Sequence, residues 1–218
     1  MITPSRRQFT TFLVGAGLAS RFPATARATS SSSEAELEKT LLEAVPILGE
    51  NSLGSDDAPV VMIEYGSLTC TNSAEFNAVY WPSIKAEFVD TGKVRFVFRE
   101  FPLDNLALRV FMVLRCVPED KYFPTLDLIL NEQKSWRGKD AMQELARLMQ
   151  TVGMNEQEFQ SCANDKDVAK AIFETQQTNM KQFGFKVTPT FFVAGQKLDG
   201  KTDPTSIRPA IEASLAKV

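Results

Sequence analysis

One short junction constrains this chain more than any other stretch. Val60-Val61-Met62-Ile63 is apolar, rich in β-branched residues and short enough for a buried strand. It runs through Glu64-Tyr65-Gly66-Ser67-Leu68-Thr69-Cys70 into a helical pattern, with Phe76, Tyr80, Ile84 and Phe88 each four apart. A strand that delivers a cysteine to the start of a helix has a chemical consequence. The free N–H groups of the first turn and the positive end of the helix dipole favour a thiolate. Cys70 is therefore a candidate nucleophile, although the local pattern fits a small buried hydrophobe equally well.

The junction is the first half of a βαβ unit. After the turn at Thr91-Gly92, Lys93–Phe101 alternates, with Val94, Phe96 and Phe98 on one side and Arg95, Val97 and Arg99 on the other. Two such strands joined through a helix are expected to be parallel, with a right-handed crossover. A long helical region follows. Asn105–Cys116 is apolar nearly all round and reads as a buried helix; Tyr122–Asn131 reads as another. Asp140–Val152 carries Met142, Leu145, Leu148, Met149 and Val152 at helical spacing. Asn155 and Glu158 form an N-cap pair for a short helix, and Asp165–Phe183 is a long helix stopped by Gly184. The pattern then returns to strands: Thr188–Val193 led by Pro189, a turn at Ala194-Gly195, and Gln196–Leu198. Asp203-Pro204 opens a last helix with Ile207, Ile211 and Leu215 four apart.

What precedes the first strand reads as an address and a spacer. Residues 1–28 resemble an export signal. Arg6-Arg7 with Phe9 is followed by a mildly apolar stretch, Phe12 to Ala19, and by a small-x-small site at Ala26-Arg27-Ala28. The paired arginines are similar to a twin-arginine signal, with Thr10 where leucine is usual; a general secretory signal is the alternative. Removing its four arginines takes the formal net charge from −3 to −7. Residues 29–50 form a serine-rich linker and a short amphipathic segment, Glu34–Val45, ended by Pro46. Asn51–Pro59 is turn-rich.

Composition narrows the chemistry. The chain has no histidine, which excludes Ser-His-Asp and Cys-His catalysis and histidine metal ligands. Three widely separated cysteines do not make a zinc site, and no long basic run suggests a nucleic-acid groove. No later run of 18 apolar residues predicts a transmembrane helix. No metal or organic cofactor is indicated, and thiol chemistry at Cys70 is the most obvious that remains.

The order βαβ, helical insertion, ββα, with Cys70 at the first helix start and Thr188-Pro189 leading a strand, resembles the DsbA branch of the thioredoxin fold. Gly54–Val60, Tyr65–Cys70, Asp90–Asp104 and Thr188–Val193 carry the similarity, which spans roughly residues 53–200. The fold class expected is therefore α/β, a thioredoxin fold with an inserted helical domain. Its first part covers 51–104, the insertion 105–184 and the second part 185–218. The resemblance implies an exported protein that exchanges disulfides with cysteine-containing periplasmic clients, turned over by a small thiol or a membrane redox partner. It implies that Pro189 is cis and packed by the active cysteine, and that Thr188 offers backbone groups to a bound client strand. It implies that Glu64 is a partly buried proton relay beneath the site. It also implies that Cys116 and Cys162, in the insertion, pair as a second, non-catalytic disulfide, leaving Cys70 as the odd cysteine.

The departure lies in the motif itself. Where the family has Cys-x-x-Cys, commonly Cys-Pro-His-Cys, this chain has Cys70-Thr71-Asn72-Ser73. A serine forms no disulfide, so the oxidised form that donates one cannot exist within this site. Ser73 is expected to hydrogen-bond the Cys70 thiolate instead. Three functions stay open: a monothiol exchange enzyme, a redox-inactive binding module, and a regulator that pairs through Cys70 with a dedicated partner.

Overall fold

The computed structural model describes residues 26–198 and 204–218. Most of the export signal expected over residues 1–28 lies outside them. The first element is helix α1 (Ala26–Glu43), which runs through the serine stretch read as a linker. That reading is corrected: serine costs a helix only a few tenths of a kcal/mol relative to average formers, so a helix anchored by Leu37 and Leu41 propagates back through it.

Five strands follow in one sheet: β1 (Asn51–Leu53), β2 (Val60–Gly66), β3 (Val94–Glu100), β4 (Thr190–Val193) and β5 (Gln196–Lys197), in the order β1-β3-β2-β4-β5. β2 and β3 are parallel, with Glu64 opposite Phe98; the other three pairings are antiparallel. β1 lies in the segment read as turns. Asn-Ser-Leu has little strand propensity, and its pairing with β3 is what makes it a strand.

Both faces of the sheet are covered, and strand alternation divides them. Val60, Met62, Val94, Phe96 and Phe98 face one core; Ile63, Tyr65 and Val97 face the other. The second core is closed by α1 and by Phe183 and Phe185. The first is closed by the helix that follows Cys70 and by the insertion. The insertion comprises α4 (Asn105–Leu114), α5 (Tyr122–Asn131), α6 (Gln133–Trp136), α7 (Ala141–Gln150), α8 (Glu156–Cys162) and α9 (Lys166–Phe183). The capping box at Asn155 and Glu158 is present in both directions, and Gly184 ends α9 with φ 67°. The chain closes with a 3₁₀ turn (Pro204–Ser206) and α10 (Ile207–Leu215), so the last helix starts one turn later than its proline suggests.

The helix after Cys70 is continuous but not uniform. It begins as α2 (Thr71–Glu75), widens into a π turn (Phe76–Tyr80), resumes as α3 (Trp81–Ile84) and widens again (Lys85–Val89). Pro82 has no N–H to give the preceding turn, and a wide turn accommodates that loss. A strict four-residue repeat also drifts by about 40° per step on a 3.6-residue helix; the wide turns take up drift and keep Phe76, Ile84 and Phe88 buried. No helix among the described residues is long and apolar enough to cross a membrane.

Candidate functional site

β2 ends at Gly66, where a side chain does not fit. A Cβ there would lie 2.5 Å from the Phe98 ring and 2.9 Å from Glu64 Oε1. The chain then turns through Ser67–Thr69, and Cys70, with φ −81° and ψ 123°, is the residue before the first helical one. Two side chains from the insertion side lock this turn. Thr69 Oγ1 donates to Asp104 Oδ2 at 2.9 Å, while Asp104 also accepts the Ala107 N–H at 2.7 Å and so caps α4. Gln133 Nε2, buried on α6, donates to the carbonyls of Leu68 (2.8 Å) and Cys70 (3.0 Å).

Cys70 is half-buried, and its Sγ donates to the Thr188 carbonyl at 3.2 Å. The Thr188–Pro189 peptide bond is cis. Sequence reasoning thus brings Cys70, Thr188 and Pro189 to one place, and the structure does the same. Ser73 lies one turn below, fully buried, but the hydrogen bond expected between it and Cys70 is absent. Ser73 Oγ accepts the Ser67 N–H at 3.3 Å instead, and the Cys70 thiol points at Thr188. The Cys70 thiol is engaged by the Thr188 carbonyl, and Ser73 Oγ serves as acceptor for the backbone.

Glu64 sits below, on β2, 3% exposed, with Oε1 buried and without a hydrogen-bond partner. Burial holds its carboxyl well above the usual carboxylate range, and the negative charges of Cys70 and Asp127 add to the effect. Cys116 and Cys162 are joined through their sulfurs, tying the end of α4 to the end of α8. No group of side chains among the described residues could hold a metal ion. Sequence reasoning missed Gln133, Asp104 and Asp127. The Asp104-Asn105 start of a helix is a readable capping signal; nothing local marks the other two.

The state of Glu64 has a measurable consequence. Its folded pKa lies above the unfolded one, so between the two the folded protein holds an extra proton and stability falls as pH rises. Glu64→Gln keeps the shape and removes the ionisation cost. It is expected to stabilise the protein by about 1–3 kcal/mol at neutral pH, with a smaller gain in acid. Urea unfolding at two pH values checks this; a loss of stability, or a gain independent of pH, refutes it.

Comparisons with known proteins agree with this geometry. A model of the family described as thioredoxin matches residues 48–213. A protein of Rickettsia bellii that carries the name of a protein-disulfide oxidoreductase is 29% identical over 171 residues, covering 76% of this chain and 66% of the relative. Disulfide bond formation protein D of Bacillus subtilis is 23% identical over 177 residues, covering 78% of each. The chain spans under two thirds of the length of the Rickettsia relatives it matches. The crystal structure of α-DsbA1 from Wolbachia pipientis superposes with a TM-score of 0.73 at 27% identity, over 83% of this chain and 96% of that one. BdbD from Bacillus subtilis, with a TM-score of 0.69 at 22% identity over 79% and 96%, shares the fold. A five-stranded sheet with a helical insertion, a cysteine at the first helix start and a facing Thr-Pro turn place the chain in the thioredoxin family, in its DsbA-like branch.

Proposed function

We propose that this protein exchanges disulfides with client proteins outside the cytoplasm, through Cys70 alone. The observation that carries the reading is the placement of Cys70. It is the one free cysteine among the described residues, partly open to solvent, at a helix start and facing the Thr188 carbonyl, with serine in place of a second thiol. Val187 (64% exposed) and Leu103 (48% exposed), each adjoining a residue tied to the Cys70 turn, offer apolar contact to an unfolded client. The twin-arginine-like leader and the Cys116–Cys162 disulfide support an oxidising, periplasmic location.

The chemistry balances without an internal partner. The Cys70 thiolate attacks one sulfur of a client disulfide, an S–S bond forms between them, and the other client sulfur leaves as a thiolate that takes up a proton. Release needs an external thiol: a second client cysteine, or a small thiol, attacks the mixed disulfide and Cys70 leaves as thiolate. When a second client cysteine attacks, the net reaction is isomerisation. When the disulfide attacked joins the client to a small thiol, Cys70 takes the small thiol and the client leaves as thiolate. A second small thiol then frees Cys70 as a small-molecule disulfide forms, so the cap is removed. Neither route is net oxidation of client thiols. Glu64 serves as proton acceptor and donor, and the Thr188 backbone aligns the client strand.

Because nothing inside the site releases the client, mixed disulfides accumulate. Extract trapped with an alkylating agent is expected to show reducible high-mass bands of this protein on a non-reducing gel, absent in Cys70→Ser. A monomer band identical in both proteins would sink the exchange reading and leave a redox-inactive binding module.

A further inference from the structure

Beneath Cys70, β2, β3, α5 and the Cys70 helix enclose a small cavity. Its walls are aromatic rings and leucines, with three polar side chains among them: Glu64, Asn77 and Asp127. About 10 Å³ is open to the centre of a water, the space of a single molecule, and three polar groups are enough to hold one. Glu64 borders this space from the sheet side, and its Oε1 is buried and unpartnered. Asp127 borders it from α5. Phe123, Leu126 and Leu130 turn the inner stripe of α5 into the cavity, and Asp127 lies at the edge of that stripe, half-exposed. Glu64 and Asp127 therefore border one cavity, and Asp127 is partly open to solvent.

We infer that Asp127 is the outer station of a proton path that runs from Glu64, through one water in this cavity, to solvent. The inference rests on the reading of Cys70 as an exchange thiol. Once a client covers Cys70, the direct route from sulfur to solvent closes, and the Thr188 carbonyl is no base. In the attack, the Cys70 thiol gives its proton to the Glu64 carboxylate, its electron pair forms the bond to the client sulfur, and the client's other sulfur departs as a thiolate. Glu64 then passes the proton to the water, the water passes one to Asp127, and Asp127 releases it; release of the client runs the path in reverse. Asp127 acts through Glu64 and is a positioning residue. Burial raises its carboxyl to about 6, against hydrogen bonding from Asn77 and the charge of Lys85, so it takes and returns protons close to neutral pH. The charged groups that face the path are Cys70 and Asp127 at Glu64, and Lys85 at Asp127.

Asp127→Asn tests this, beside Asp127→Glu and Glu64→Gln. Exchange with a disulfide-bonded protein is expected to slow about tenfold in Asp127→Asn and to stay near wild type in Asp127→Glu. Alkylation of uncovered Cys70 by iodoacetamide stays within about twofold in Asp127→Asn, since that reagent leaves the sulfur open to water. Small proton carriers such as formate or imidazole restore exchange in Asp127→Asn but not in Glu64→Gln. Exchange at the wild-type rate in Asp127→Asn, equal slowing toward iodoacetamide, or no rescue overturns the path. No exchange by the wild-type protein overturns the underlying reading, and the path with it.

Discussion

Ser73→Cys is expected to enable this protein to oxidise client dithiols. Position 73 is three residues after Cys70 in the first helical turn, a separation at which side chains neighbour each other and Cα atoms fall within disulfide range. It is fully buried, so the new thiol would be shielded in the manner of a resolving cysteine. In the variant, the sulfur introduced at position 73 attacks Cys70 in a mixed disulfide and expels the client thiol. Trapped species are then expected to fall about tenfold, since an intramolecular thiol at high effective concentration outcompetes one from solution. The resulting disulfide between positions 70 and 73 can pass to a reduced client, which no state of the native site allows. Two assays check this: the non-reducing gel, and reactivation of a reduced, unfolded ribonuclease under an added oxidant. Gain of oxidation with loss of trapped clients would mean that one residue separates this site from a dithiol site. Persistent trapping without oxidation would mean that the surroundings of Cys70, not Ser73 alone, have diverged. The Ser67 N–H now received by Ser73 Oγ is one such surrounding, because sulfur accepts it less well.

Much of the fold was legible because local and global signals agree. α5 spans Tyr122–Asn131 as its apolar pattern indicates, and the capping box at Asn155–Glu158 needs four residues to read. The parallel β2–β3 pair follows from two strand patterns and an intervening helix. Where the reading failed, the cause was contact at long range. β1 is a strand because β3 offers it an edge. The π turns depend on Pro82 and on which face the sheet buries. At the site, Cys70, Glu64, Thr188 and Pro189 could be named from motif positions. Gln133 reaches the Cys70 turn across 63 residues of sequence, and Asp127 meets Glu64 only because α5 docks on the sheet. The Ser73 expectation followed from chemical analogy with a thiol and missed a backbone donor that no side-chain pattern reveals.

Arg99 shows how far the frame behind the site depends on one buried charge, and Arg99→Met is expected to cost about 3–5 kcal/mol of stability. The side chain is 1% exposed in the second core, on β3. Nε donates to Glu50 Oε1 at 2.7 Å and Nη2 to Glu50 Oε2 at 3.1 Å, a forked pair; Nη2 also reaches the Leu41 carbonyl at 2.8 Å, and Nη1 the Tyr65 hydroxyl at 2.8 Å. Methionine fills similar volume but leaves a carboxylate, a carbonyl and a hydroxyl without their donor. Most of the cost is that of stranding Glu50, not the net worth of the pair. The double variant Arg99→Met with Glu50→Leu is therefore expected to recover a large part of the loss. Arg99→Lys is not a mild substitution here, since a point charge cannot serve three acceptors in fork geometry. Chemical unfolding of the four proteins measures the cycle; additivity of the two single changes would refute the stranded-charge account. The effect bears on function through Tyr65, which neighbours Glu64 on β2. Freed from Arg99, α1 and the Glu50 segment loosen on the back of the strand that positions Gly66 and Cys70. Exchange through Cys70 should then fail at a lower temperature with its pH dependence unchanged, since Glu64 and Asp127 lie on the opposite face of the sheet.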